Sequence, residues 1–153
     1  MLKKIIIIPF FLLIATFLMG QNGLVERDGF FYKDGMLYTG THKEFFDNGN
    51  LKIEMEVKNG LKDGEVKLYF ESGELQEIRS FKEGDKSGEW VTWNEKGVKT
   101  GVAYYDQGKK DSTWIIWDEN GTKRFELHYK DGKKTGTWKM WDEDGQLANT
   151  RKY

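Results

Sequence analysis

Three stretches of the chain repeat one phrase that contains two tryptophans: GEWVTWNEKG at residues 88–97, STWIIWDENG at 112–121 and GTWKMWDEDG at 136–145. Each copy begins 24 residues after the copy before it, and glycines keep the same spacing over a longer part of the chain. The three glycine registers are Gly49, Gly73, Gly97, Gly121 and Gly145; Gly60, Gly84, Gly108 and Gly132; and Gly40, Gly64, Gly88 and Gly136, with Ser112 in the remaining position. Because self-similarity at a fixed period indicates a repeat architecture, we interpret residues 40–153 as five tandem copies of one unit.

Two segments of each unit have the composition of β-strands. Residues 51–57, LKIEMEV, alternate between apolar and charged side chains, which is typical of a strand with one buried face. Residues 89–93, EWVTW, are rich in β-branched and aromatic side chains, and so are their equivalents in other units. We predict that every glycine register marks a chain reversal, as the last residue of a type I turn or as the left-handed glycine of a three-residue loop.

Two strands and two tight turns per unit predict an all-β fold, an elongated single-layer antiparallel β-meander of tandem hairpin repeats. Ten strands about 4.8 Å apart form a ribbon ~48 Å long. Because this sheet has no covering layer, we expect large rings to seal both of its faces. The alternation places one set of rings on one face and a second set on the other: Trp90, Trp114 and Trp138 against Trp93, Trp117 and Trp141.

The first twenty residues lie outside the repeat. A positively charged start precedes an apolar run at residues 5–19, and the small residue Gly20 follows. This is the layout of a secretory signal peptide, and the run is short for a membrane span, which needs about 20 apolar residues. We predict a bacterial export signal at 1–20, cleaved near Gly20-Gln21, and a lead-in with a partial repeat at 21–39. An uncleaved anchor is the alternative, since Leu18 and Gly20 make a poor cleavage site.

Composition argues against several classes of partner and site. The chain has 24 basic and 25 acidic residues. This near-neutral balance disfavours nucleic acid and anionic lipid headgroups as electrostatic partners, since both call for a basic face. The chain has no cysteine, which excludes disulfides, thiolate metal sites and lipoprotein anchoring. Packing must therefore hold the fold together.

The residues that could support catalysis have simpler explanations. His128 lies on the polar face of its predicted strand and His42 occupies a core-type position, so we interpret both as structural. No serine lies in the G-x-S-x-G context of a nucleophile elbow. A calcium loop needs a glutamate six residues after its glycine, and after Gly145 that position holds Arg151. We predict no catalytic residue, no cofactor and no metal.

The unit G-x-W-x-x-W-x-x-x-G, followed by an aromatic residue, K-[DEN]-G and another glycine, resembles the MORN-repeat variant of exported and cytoplasmic bacterial proteins. The segment ERDGFFYKDGMLYTG, residues 26–40, resembles the partial repeat that opens such chains. The resemblance covers about residues 29–153. It departs from the pattern at His42 and Val66, which replace the first tryptophan, at Phe45 and Tyr69, which replace the second, and at Ser112. It implies an elongated β-meander used for protein–protein contacts or, in eukaryotic relatives, for membrane association. Some bacterial members carry an antitoxin label.

We therefore predict a non-catalytic module of the cell envelope that binds or scaffolds an unknown protein partner. The candidate binding surface is the second aromatic register, which lines one sheet face near one edge of the ribbon: Phe45, Tyr69, Trp93, Trp117 and Trp141. Tryptophan and tyrosine are enriched at interface hot spots, but such rings also pack on neighbouring strands. Two alternatives stay open: an antitoxin or immunity protein that neutralises a partner toxin, and a surface for glycan or membrane lipid. The sequence leaves the oligomeric state open.

Overall fold

The computed structural model describes residues 23–153, and the predicted export signal lies outside them. The described chain forms two antiparallel sheets. The small sheet, ordered β1-β2-β3, consists of β1 (Val25–Arg27), β2 (Phe30–Lys33) and β3 (Met36–Leu37). The large sheet contains ten strands in sequence order: β4 (Gly40–Phe45), β5 (Leu51–Lys58), β6 (Leu61–Tyr69), β7 (Leu75–Lys82), β8 (Asp85–Trp93), β9 (Lys99–Asp106), β10 (Lys109–Trp117), β11 (Lys123–Lys130), β12 (Lys133–Trp141) and β13 (Leu147–Lys152). The predicted all-β meander of tandem hairpins is confirmed.

The turns after odd-numbered strands are two-residue loops, and the prediction of three-residue loops was wrong. Lys82 pairs with Asp85, which leaves only Glu83 and Gly84 in the loop. Both residues have positive φ, 50° and 90°, as in a type I′ turn, whose twist matches that of the flanking strands. Lys82, the residue before Glu83-Gly84, therefore belongs to the strand ladder. The equivalent loops are Asn59-Gly60, Gln107-Gly108 and Asp131-Gly132.

The turns after even-numbered strands have the predicted Asx-to-glycine form in the last three units. At Asn94 the backbone carbonyl accepts from Gly97 N–H at 2.9 Å, and the side-chain Oδ1 accepts from the N–H groups of Lys96 and Val98, each at 3.0 Å. Asp118 and Asp142 bind their loops in the same way. An Asn or Asp at this position therefore closes the reversal with its own side chain.

The third glycine register lies inside strands, and the prediction that it marks a reversal was wrong. Between the pairs Phe81↔Lys86 and Arg79↔Trp90, β7 has one residue while β8 has three, with Gly88 in the middle. The strand bulges there, and Gly88 takes a φ of 73°. Bulges bend a strand and strengthen its twist. Both bulges and tight turns favour glycine because both use positive φ, so glycine spacing alone does not separate them.

Ser112 occupies this bulge position in β10 with a φ of 56°, a left-handed conformation that costs an L-residue about 1–2 kcal/mol. Its Oγ donates to Asp111 Oδ1 at 2.9 Å, which offsets part of that cost. We expect Ser112→Gly to raise the free energy of unfolding by about 0.5 kcal/mol in urea denaturation. The matched control is Ser87→Gly, at a strand position without positive φ, which should lower it. A Ser112→Gly protein that is destabilised as much as the control would contradict this account of the bulge.

A continuous ladder of aromatic rings runs along one face of the large sheet. Its members come alternately from odd- and even-numbered strands, and the last member directly follows β13: Phe81, Trp90, Tyr105, Trp114, Tyr129, Trp138 and Tyr153. Neighbouring ring centroids lie 4.6 to 5.3 Å apart, within the range where tilted aromatic pairs attract each other. Each indole N–H donates to a carbonyl of the preceding strand, as Trp114 Nε1 does to Tyr104 O at 3.0 Å. The rings therefore join each hairpin to the next.

One lysine from each hairpin lies over two rings of the ladder. Lys110 Nζ is 4.3 Å from the ring centroid of Trp114 and 5.0 Å from that of Tyr129. Lys86 and Lys134 repeat this arrangement in the neighbouring hairpins. At exposed sites such a contact contributes about 0.5–1 kcal/mol, and the lysine stem also shields the ring from water. The sheet thus acquires a thin cover without a second layer.

The small sheet covers the ladder face at the first hairpin, where the sequence has no tryptophan. Phe31 of β2 lies with Met55, Val57 and Val66 in the buried cluster of the described chain. Leu24, Tyr38, Ile53, Leu68 and Phe81 pack against this cluster. We call residues 23–39 the N-terminal cap, because they cover apolar surface that the first hairpin cannot bury alone.

The N-terminal cap is continuous with the ladder and the turns. Phe31 N–H donates to Gly60 O at 2.7 Å, and Gly60 N–H donates to Tyr38 O at 2.7 Å. Lys62 Nζ lies 5.5 Å from the ring of Phe31 and 5.4 Å from the ring of Phe81. The ring of Phe31 therefore extends the ladder by one position on the N-terminal side of Phe81.

Candidate binding surfaces

The five predicted surface residues form one row, each as the last residue of an even-numbered strand. Trp93 lies two residues after Val91 and therefore on the same face, opposite the ladder face that holds Trp90. Trp93 pairs with Lys99, whereas the preceding residue Thr92 pairs with Gly101. Thr100 is therefore left unpaired in β9 as a bulge. The same bulge recurs next to each member of this aromatic row: Phe45, Tyr69, Trp93, Trp117 and Trp141.

The aromatic row is only partly open to solvent. Phe45 lies on the edge strand β4 and exposes 60% of its surface, whereas the other four rings are half-buried. Lys123 Nζ lies 4.4 Å from the ring centroid of Trp141 and covers one side of it. The rings therefore pack on their own sheet and also present an edge to solvent.

A cluster of charges lies beside the last two members of the aromatic row. The Glu126 carboxylate accepts hydrogen bonds from Lys123 and from Lys139, the latter at 3.2 Å. The bond from Lys123 lowers the pKa of Glu126, and the bond from Lys139 adds to the effect against the opposing influence of partial desolvation. Because Lys123 also covers Trp141, this carboxylate holds one wall of the row in place.

The lowered pKa of Glu126 predicts a pH-dependent contribution to stability. Ionised Glu126 stabilises the fold above its unfolded-state pKa of about 4.3, and this stabilisation is lost as the pH falls through the lower folded-state pKa. We expect Glu126→Gln to lower the free energy of unfolding at pH 7 by about 0.5–1 kcal/mol and to have a smaller effect at pH 3, measured by chemical denaturation. Glu95→Gln is the control, since Glu95 is exposed and outside the ion pairs of the described chain. Equal losses at both pH values would show that the ion cluster is not responsible.

A second surface lies on the ladder face at the last two hairpins, and the sequence interpretation missed it. It is a groove of about 420 Å³. We call it the C-terminal groove and define it by its apolar lining: Ile116, Phe125, Leu127, Trp138 and Met140. Ile116 and Met140 expose 39% and 42% of their surfaces, although both are large and apolar. Arg151 and Tyr153 lie at the same site.

The sequence feature that indicates this groove is a change of residue type at one position of the repeat. Ile116 and Met140 stand one and two periods after Thr92, so an apolar side chain replaces a polar one at the same position of the strand. Strand alternation puts all three residues on the face of the ladder tryptophans, which the sequence predicts to be sealed by the rings. The rings cover the part of the face near the two-residue loops and leave this part open.

The titratable side chains of the described residues make local contacts and form no metal-holding group. In the described range, no group of three or more His, Cys, Asp or Glu side chains could hold a metal ion. The two histidines make local contacts: His42 Nε2 lies 3.2 Å from Glu44 Oε1, and His128 Nδ1 lies 3.1 Å from Thr113 Oγ1. The arrangement offers apolar and cationic surface for binding.

Residues 23–153 contain no helix with the length and apolar character needed to cross a membrane.

One structural unit is a hairpin in the large sheet. It begins with an even-numbered strand, reverses in a turn that starts at Phe, Asn or Asp, and ends with the next odd-numbered strand. A family model described as the MORN repeat variant matches four of these hairpins, at residues 38–59, 62–83, 110–131 and 134–153. The chain belongs to the MORN-repeat family. Between the second and third matches, β8 and β9 of this MORN-repeat protein continue the same ladder through Trp90 and Tyr105. A search of curated proteins finds no match to the chain.

Proposed function

We propose that this MORN-repeat protein is a non-catalytic module that is exported to the cell envelope and binds a protein partner through its sheet. The observation that supports it best is the large open sheet, which presents exposed apolar side chains on both faces. Soluble monomers rarely leave large contiguous apolar patches uncovered, and such patches usually mark interaction sites. Export rests on the charged and apolar layout of residues 1–20.

The aromatic row is our candidate contact surface for this partner. Its members are two strands apart, so they recur about every 10 Å along the ribbon. This spacing suits an extended macromolecular partner that contacts several units at once. The partly exposed tryptophans offer rigid, amphipathic contact area of the kind found at interface hot spots. Lys123 over Trp141 adds a cation to one end of the row.

Capture of the partner from envelope extracts, with the full chain as bait and chemical crosslinking, tests the proposal. We expect one protein to be enriched by the wild-type chain and to be lost with the double variant Trp93→Gln, Trp117→Gln. The control is Met36→Ser, which removes an apolar side chain that is 70% exposed in the N-terminal cap, away from the row. Both variants are first checked for wild-type circular dichroism.

Four results would change parts of this proposal. Failure to enrich any protein would contradict the binding function. Enrichment that the double variant leaves unchanged would move the contact away from the aromatic row. A change in tryptophan fluorescence on titration with cell-wall fragments or liposomes, without a captured protein, would favour the glycan or lipid alternative. A captured partner that is a toxin and loses its activity in a stoichiometric complex would identify the antitoxin alternative.

A further inference from the structure

The C-terminal groove is the translational equivalent of the surface that the N-terminal cap covers. Three periods, or 72 residues, separate the apolar residues of the first hairpins from those of the groove. The equivalent pairs are Ile53 and Phe125, Met55 and Leu127, Val66 and Trp138, and Leu68 and Met140. The same positions of the repeat are therefore apolar at both ends of the sheet. Met55 and Val66 are buried at the first end, whereas their equivalents Leu127 and Trp138 are only half-buried and Met140 is exposed.

The covered end shows which kind of ligand this surface accepts. The N-terminal cap is an extended chain with two tight turns, and it places the ring of Phe31 in one buried cluster with Met55, Val57 and Val66. The side chains of Leu24, Ile53 and Leu68 pack against this cluster. Phe31 also bonds through its backbone N–H to Gly60 O. An aromatic side chain with a nearby aliphatic one, on an extended backbone, is thus the occupant for which these positions are shaped.

The middle of the sheet does not offer the same surface. One period after Ile53, Met55 and Leu68, the chain has Glu77, Arg79 and Thr92. Arg79 and Glu77 bind each other there at 2.7 Å. Polar residues therefore separate the covered apolar surface from the open one, and an apolar ligand has a defined site at the last two hairpins.

The positive charge of Arg151 at the open end restricts the chemistry of the ligand further. The Arg151 guanidinium lies 5.1 Å from the ring centroid of Tyr153 at the rim of the groove. It makes no salt bridge with any residue of the described chain. A carboxylate next to the aromatic side chain of the ligand would give this guanidinium a charge-assisted partner.

We propose that the C-terminal groove binds an extended segment of a partner protein that carries an aromatic residue, a neighbouring aliphatic residue and an acidic residue. The aromatic ring lies against Phe125, Leu127 and Met140, which are the equivalents of the cap-covered Ile53, Met55 and Leu68, and the acidic residue binds Arg151. This inference rests on the proposed protein-binding function, and it adds a second contact, on the ladder face, to the one proposed for the aromatic row.

A synthetic peptide with the sequence of residues 23–39 is the probe, because it carries the aromatic, aliphatic and acidic residues of the chain's own cap. We expect the fluorescently labelled peptide to bind the full chain saturably, as measured by anisotropy. In nuclear magnetic resonance spectra, the amide signals of Phe125, Met140 and Asn149 should shift. A peptide with Phe31→Ala and a protein with Met140→Glu should each weaken binding at least about tenfold, since a hot-spot ring or a desolvated charge accounts for more than 1.4 kcal/mol.

The matched control is Thr92→Glu, two periods before Met140 at the same position of the strand. It introduces the same charge on the same face, and we expect it to leave the affinity for the peptide unchanged. Absence of saturable binding, or equal weakening by both variants, would overturn the proposal. Self-association of the wild-type chain that Met140→Glu abolishes, detected by analytical ultracentrifugation, would also overturn it in favour of a second copy as the occupant.

This experiment separates failure of the inference from failure of the proposed function. If the wild-type chain and the Met140→Glu variant capture the same envelope protein equally well, the groove proposal is wrong while the binding function stands. If neither captures any protein, the binding function fails, and the peptide titration still reports on the groove itself.

Discussion

The structure depends on the stacking of one aromatic ring on the next across successive hairpins. A single hairpin is marginal in water, and this sheet has no second layer to bury its faces. Ring pairs contribute about 0.5–1.5 kcal/mol each beyond their buried area, and the lysines above them shield the rings from water. The ladder therefore takes the place of a core, in agreement with the small number of fully covered side chains in residues 23–153.

The sequence predicted the architecture because the repeat carries the same physical signal five times. Glycine spacing located the reversals, and strand alternation placed the two tryptophan sets on opposite faces. It did not separate bulge glycines such as Gly88 from turn glycines, since both have positive φ. It also gave no loop length, because the lysine before Glu83-Gly84 is equally compatible with a loop or with a strand pair.

The candidate surfaces were predictable to different degrees. The aromatic row repeats in every unit, so the sequence placed its members on one face. The sequence revealed neither the bulges beside Trp93 and Trp117 nor the half-burial of these rings. The C-terminal groove arises where units differ from one another, at Ile116 and Met140. The residues that all units share therefore do not indicate it. Repeated residues thus build this ribbon, and the departures from the repeat give its two ends different surfaces.

Native-state hydrogen exchange of the Trp114→Ala variant tests the central claim most directly. Trp114 contacts Tyr105 on one side and Tyr129 on the other, so its removal breaks the ladder in the middle. If the ladder couples the hairpins, the amides of β10–β13 should exchange with a free energy about 1–3 kcal/mol lower than in the wild type. The amides of β4–β7, held by the N-terminal cap, should keep more of their protection. A uniform fall in protection over all ten strands, or no change beyond β10, would contradict the claim that stacked rings hold the array together.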